Sequence, residues 1–213
     1  MIEIKHRETG EVLLRIDADS LAKININGED LAHADFSGMD LTATKIASCN
    51  LSEASFRNAK MDRCRIQNCG ARRTDFAGAS LIEANLSDNV MDFADFTEVD
   101  AVRGQFRHAK MNGGVFIKGN FAHADFSFSE LRGNFHGAIL VKANLFGADL
   151  TSADLTGADL READMTDARI QRADFNFAKM QGCIGTNGKT WGAAVKASGK
   201  RPWWQIWGRG AAV

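Results

Sequence analysis

From Leu21 to Leu131 every fifth residue is large and apolar, apart from Ala71 and Ala101; the series resumes one residue early at Phe135 and continues to Met180. Two residues before each of these centres stands a second series, small rather than large: Ala34, Cys49, Ala54, Ala59, Thr74, Ala84, Ala94, then unbroken Ala from Ala138 to Ala178. In 27 of the 33 units this position is Ala, Gly, Ser, Thr or Cys, so two places in five turn inward and three outward. A period of five suits neither regular element. On a helix five steps advance roughly 500°, which scatters the centres around the axis. On a strand five steps reverse the face each time, so half of the Leu and Phe would meet water. The pattern predicts a chain that turns a corner once per unit and keeps both apolar positions inside.

The aromatic residues set the number of corners per coil. Phe36, Phe56, Phe76, Phe96 and Phe116 recur every 20 residues, and after the one-residue deletion the series continues as Phe135, Leu155 and Phe175. Four units therefore close a coil, and one face carries a ladder of stacked rings about 4.8 Å apart. About eight such coils give a square solenoid roughly 40 Å long. Ten of the 14 Phe fall at centres while Tyr is absent, because a dry interior offers a phenol hydroxyl no partner. The single Pro is at 202, since each coil bonds to its neighbours and Pro lacks the donor. Gly28, Gly38, Gly78, Gly137, Gly147 and Gly157 sit two residues after centres, where a tight turn suits glycine.

The unit is cleanest in ANLFGADLTSADLTGADLREADM, residues 143–165. These A-[D/N]-[L/F]-x-x units resemble those of pentapeptide-repeat proteins, over residues 19–183. The resemblance implies an all-β fold, a right-handed quadrilateral β-helix, in agreement with the four-unit coil; the handedness comes from the resemblance alone. Residues 1–18, with IEIKH and EVLLRI around RETG, read as an N-terminal β-hairpin cap on the raw first edge. Residues 184–213 form a basic extension that holds all four Trp. Trp203, Trp204 and Trp207 could cover the last coil, join two copies as C-terminal ends do in related proteins, or rest on an anionic membrane or nucleic acid.

Candidate chemistry is sparse. The segment GCIGTNGKT, 182–190, has Cys183 where a phosphate-binding loop needs its first Gly. Cys49, Cys64, Cys69 and Cys183 all take the small inward position, which makes them buried apolar residues; Cys49 and Cys69 lie one coil apart on one face. His33, His108, His123 and His136 fall on four different faces and supply no ligand set or acid–base pair. Asp149, Asp154, Asp159 and Asp164 likewise fall on four sides, as solvated or turn-bonding residues. No enzyme, cofactor, metal or small-molecule substrate is expected. The charged start MIEIKHRETGE lacks the apolar stretch of a signal peptide, so a cytoplasmic location is expected.

The outward positions give the handles on function. The Phe-ladder face carries Asp35, Asp75, Asp95, Glu98, Asp154 and Asp174 against Arg57 and Lys118, a net of −4; the other three faces come to +1, −1 and +1. The resemblance implies one use for such a face, since members of the family bind DNA gyrase as DNA mimics. Duplex DNA, however, carries roughly two dozen charges over this length, whereas residues 19–180 sum to −5. A second handle is apolar. Ile82, Val102, Ala122 and Val141 follow centres of one face on four successive coils, and Phe128 and Phe146 lie close together on the adjoining face. The sequence thus points to a rigid protein-binding scaffold that presents a flat face to another protein or to a second copy, with the gyrase-directed mimic as the alternative.

Overall fold

The computed structural model describes residues 1–190. Two antiparallel strands, β1 (Ile2–His6) and β2 (Val12–Ile16), form the N-terminal hairpin. The remainder is a quadrilateral β-helix in which residues 20 apart bridge in parallel, as in Asp75↔Asp95, and residues 19 apart do so across the deletion, as in Val115↔Asn134. Each flat side is so short that only β3 (Asn25–Asn27), β4 (Ala34–Asp35), β5 (Lys45–Ala47) and β6 (Arg65–Gln67) exceed a single bridge among the described residues. Following the chain, the first face holds the Phe ladder, the second the centres from Leu41 and Leu81, the third those from Ile46 and Ile66, and the fourth those from Leu51 and Met91. The hairpin caps the first face: β1 pairs with β4 through Lys5↔Asp35 and His6↔Ala34, and Ile4 is buried beneath the first coil.

Hydrogen bonds follow one rule. A centre donates its N–H to the residue 19 on, as Phe36 does to the Ser55 carbonyl at 2.8 Å, and the residue before a centre donates back to the coil below, as Ser55 does to Ala34 at 2.8 Å. Every centre from Leu21 to Met180 is buried except Ile170, which is half-buried. The ladder rings of Phe36, Phe56, Phe76, Phe96, Phe116 and Phe135 lie nearly parallel with centroids 4.7, 5.2, 4.9, 5.4 and 4.1 Å apart.

Phe106, Phe121 and Phe126 add rings from the second and third faces; Phe106 and Phe121 meet the ladder edge-on, at 6.0 Å from Phe96 and 5.8 Å from Phe116, and Phe126 stacks on Phe106 at 4.9 Å. The extra volume is accommodated by glycine at the small inward position. A Cβ at Gly104 would stand 2.8 Å from a Phe106 ring carbon, at Gly114 2.9 Å from Phe116, and at Gly119 2.5 Å from Phe121. Ala elsewhere becomes Gly here because the ring occupies the methyl's space.

The corners differ from the expectation in one respect. Glycine does occupy positive φ two residues after centres, but so do 24 other residues, among them Ala43 (56°), Arg63 (56°), Phe93 (61°) and Glu98 (54°). The left-handed region costs a non-glycine residue about 1–2 kcal/mol, and here the ladder imposes it. Glycine adds unfolded-state entropy worth about 0.4–1 kcal/mol. Ala43→Gly is therefore expected to stabilise the protein by about 0.5–1 kcal/mol, read as a rise in the urea midpoint. An unchanged or lower midpoint would mean that the corner carries no strain.

At Ile26, Ile46 and Ile66 the corner takes a second form. Cys49 Sγ, Cys69 Sγ and Asn89 Nδ2 reach the carbonyls of these three centres at 3.9, 3.7 and 2.6 Å. In return, the N–H groups of Cys49 and Cys69 donate to Cys69 Sγ at 3.4 Å and Asn89 Oδ1 at 2.9 Å. The two thiols are thus more than apolar filler: with Asn89 they form a column that satisfies buried backbone groups.

Candidate functional site

The acidic face is built by the turns. The residue before a centre, when Asp or Asn, accepts the N–H two residues on and closes the corner. Ser37 donates to Asp35 at 2.9 Å, Ala77 to Asp75 at 3.0 Å, Thr97 to Asp95 at 2.8 Å, Thr156 to Asp154 at 2.9 Å and Asn176 to Asp174 at 2.9 Å. Asp149 and Asp159 do the same for Thr151 and Arg161. The turn-bonding expectation for Asp149, Asp154, Asp159 and Asp164 therefore holds. The column on the acidic face reads Asp35, Ser55, Asp75, Asp95, Val115, Asn134, Asp154, Asp174, so no run of acid exceeds two coils and each is broken by one or two neutral ones. Arg57 further pairs with Asp75 at 3.0 Å. Glu98 stands exposed at a corner.

A neutral amide can accept the same bond, so charge and turn closure separate experimentally. Asp95→Asn is expected to leave stability within about 0.5 kcal/mol, whereas Asp95→Ala loses about 1 kcal/mol. Equal losses in chemical denaturation would show that the carboxylate charge, rather than the turn bond, is what the fold uses.

Asp149 and Asp159 titrate low. At Asp159 the bonds from Arg161, whose side-chain nitrogens lie 2.7–3.1 Å away, hold the carboxyl below its usual range. At Asp149 burial pushes upward, but the bonds from Thr151 and Arg132 outweigh it and the net shift is down. Burial raises the Cys64 and Cys183 thiols to about 12 and also raises Cys69. All four cysteines are buried and free. The histidines of the coils remain on separate faces, but His6, from the hairpin, stacks on His33 at 5.0 Å, and His33 Nδ1 faces Glu53 at 3.7 Å. This contact fastens the cap to the fourth-face corner. Nothing in the linear sequence placed His6 there, since it depends on the pairing of β1 with β4. Among the described residues no group of three or more His, Cys, Asp or Glu is placed to hold a metal ion.

The apolar candidates lie where the repeat register puts them. Ile82, Val102, Ala122 and Val141 stack on the second face, linked by the bonds Glu83 N–H to Val102 O, Arg103 N–H to Ala122 O and His123 N–H to Val141 O. All four are half-buried, and Ile139 beside them is exposed. On the third face Phe128 and Phe146 meet edge to face at 5.2 Å. Phe128 is 48% exposed, and its ring lies between His108, stacked at 5.3 Å, and Gly147, where a Cβ would stand 2.8 Å from the ring. Phe93 covers Gly113 in the same manner on the fourth-face corner. The expectations for Trp191, Trp203, Trp204 and Trp207 lie outside the described residues. Within those residues Ile184 continues the third-face column by bridging Asp164, then pairs with Thr190 across a turn.

Two hollows lie end to end along the third face. One, of about 510 Å3, is lined by Arg63, Arg65, Glu83, Asn85, Arg103 and Gln105. The other, of about 420 Å3, lies between the Phe128–Phe146 pair and the Lys142–Glu162 ion pair, over Asp125 and Asn144.

Comparison with known proteins places this geometry. The chain matches the sequence pattern described as Pentapeptide repeats, in eight copies over residues 34–70, 64–113, 134–167 and 148–184. None of the curated proteins compared with the chain matches it. Among solved structures it is similar to HetL, a pentapeptide repeat protein involved in heterocyst differentiation regulation from the cyanobacterium Nostoc sp. strain PCC 7120, at 21% identity. That match covers 79% of this chain and 90% of HetL, with a TM-score of 0.51. A pentapeptide repeat protein from the thylakoid lumen of Arabidopsis thaliana matches at 21% identity over 80% of this chain and 71% of its own, with a TM-score of 0.24. QnrB1, a plasmid-mediated fluoroquinolone resistance protein, matches at 19% identity over 77% of this chain and 78% of its own, with a TM-score of 0.33. At these identities the likeness speaks to the fold.

Proposed function

The chain belongs to the pentapeptide-repeat family, and we propose that within it this protein is a non-enzymatic rigid rod that holds a partner protein against one outward face. The observation that carries this reading is the Phe128–Phe146 pair. Two large rings stand on an outward face whose other positions are mostly short or polar, beside a hollow that a partner's side chain can enter. The ladder bonds fix every outward column at the coil spacing of about 4.8 Å, so whatever docks meets side chains held at a fixed pitch. A gyrase-directed mimic is less well supported: its carboxylates close turns, come in interrupted pairs and are partly neutralised by Arg57.

The test is photo-crosslinking in the native host, with one photoreactive residue introduced at an outward position of each face. Adducts of discrete mass confined to one face are expected. Their absence from all four faces would overturn the scaffold reading. Adducts that contain gyrase and map to Asp75 and Asp95 would replace it by the mimic.

A further inference from the structure

The third face sums to −1, and this small number conceals a separation of charge along the rod. In the coils up to Gln105 the face and its leading corner carry Lys23, Lys45, Arg63, Arg65, Arg103 and Arg107, against Glu83 and Asp88. In the coils beyond, Asp125, Glu162, Asp164 and Asp167 stand against Lys142, next to the Phe128–Phe146 pair.

The basic end carries two local costs. Lys45 and Arg65 are in-register neighbours on β5 and β6, and like charges directly opposite one another destabilise a sheet. Both also occupy the position before a centre, where Asp or Asn elsewhere closes the corner, and neither can accept that bond. Glu83 is engaged by Arg103 at 3.7 Å and Arg107 pairs with Asp125 at 3.8 Å where the two halves meet, whereas Lys45, Arg63 and Arg65 have no ion-pair partner among the described residues. Asp62, next to Arg63 in the chain, is engaged as well, since it accepts from the Ser80 hydroxyl and the Ile82 N–H. Lys45, Arg63 and Arg65 therefore bring no ion pair to the fold, and an anionic partner would supply their counter-charge.

Building on the scaffold reading, we propose that the third face is a docking groove for an extended segment of a partner protein. The segment places carboxylate side chains over Lys45, Arg63 and Arg65 and an apolar side chain in the hollow beside Phe128 and Phe146. The column Arg65, Asn85, Gln105, Asp125, Asn144 spans four coil steps, about 19 Å, which an extended chain covers in about six residues. The acids and the apolar anchor are therefore about six residues apart. Along the floor the Gln105 amide and Asn85 Nδ2 offer donors and an acceptor to the main chain between them, while Asn85 Oδ1 closes its own corner and the Asn144 amide is held by Phe146 and Asp125.

A nucleic acid fits worse, because Asp125, Glu162, Asp164 and Asp167 repel phosphates over half of the groove. A second copy turned end for end would match charges, but a flat face of roughly 38 by 10 Å buries only about 800 Å2 in total, below the ~1,200 Å2 of stable interfaces.

The test uses the full chain and a fluorescent peptide with a run of aspartates, a Gly/Ser spacer of about six residues, and a terminal Leu-Phe. Saturable binding by anisotropy is expected, weakened about tenfold or more by Arg65→Glu and by Phe146→Ser. Shortening the spacer to one residue should weaken it similarly, while Arg172→Glu on the fourth face leaves it unchanged. No binding, or binding indifferent to Phe146 and to spacer length, would overturn the groove. So would tighter binding of a DNA oligonucleotide of equal length, or a dimer in sedimentation that Arg65→Glu abolishes. Native-host adducts confined to another face would sink the groove and leave the scaffold reading standing; absent adducts on every face would sink the scaffold itself.

Discussion

Phe96→Ala is expected to destabilise the protein by about 3–5 kcal/mol, one of the largest losses available to a single side chain here. The ring is fully buried and stacks on Phe76 at 4.9 Å and Phe116 at 5.4 Å, with Phe106 against it edge-on at 6.0 Å. Its removal leaves a void between coils that cannot collapse, because backbone ladders pin both neighbours. Phe96 N–H is held by the Val115 carbonyl at 2.6 Å and Val115 N–H by Ala94 at 3.0 Å. The cavity therefore persists and adds to the lost transfer energy. Phe96→Leu keeps most of the volume and should cost about 1 kcal/mol. Since coils couple mainly to their neighbours, hydrogen exchange should accelerate first around residues 76–116 and much less near Ala158 or Leu160. A loss under about 1 kcal/mol for Phe96→Ala would mean that the ladder packs loosely.

The core of this fold is legible in the sequence because one five-residue grammar writes it. The Leu and Phe centres, the small residues two places earlier and the 20-residue Phe period each constrain the same backbone, and all three agree. The turn role of Asp154 or Asp159 is also legible, since an Asx turn is local. What escaped depends on neighbours 18 or more residues away. The left-handed conformation of Ala43 or Phe93 is imposed by the coils on either side and contradicts local propensity. Cys49 and Cys69 look like small apolar fillers until Asn89 is seen to complete their column. His6 meets His33 only because β1 pairs with β4. The groove was hidden for a different reason: summing charge over a whole face averages its basic half against its acidic half. The closeness of Phe128 and Phe146, by contrast, follows from register alone.

Gly133→Ala is the second large effect, expected to cost about 3 kcal/mol or more although it adds one methyl group. Gly133 lies at the one-residue deletion, where the chain passes from Leu131 to Phe135 in four steps rather than five. A Cβ there would collide with the Gly114 carbonyl oxygen and stand 3.1 Å from the Phe116 ring. Neither obstacle can yield. The Gly114 carbonyl accepts from Asn134 at 2.9 Å, Gly133 itself accepts from Asp154 at 3.0 Å, and Phe116 is clamped between Phe96 and Phe135. Gly137→Ala is the matched control on the next corner. Its φ is +66° and the nearest atom to an added Cβ is Lys118 Cγ at 3.7 Å, so it should lose only the left-handed cost of about 1 kcal/mol. In chemical denaturation the order Gly133 well above Gly137 is required. Equal losses would mean that the shortened corner has room for a side chain, and that the close approach of Gly133 to Gly114 is not what holds coils 111–130 and 131–149 in their 19-residue register.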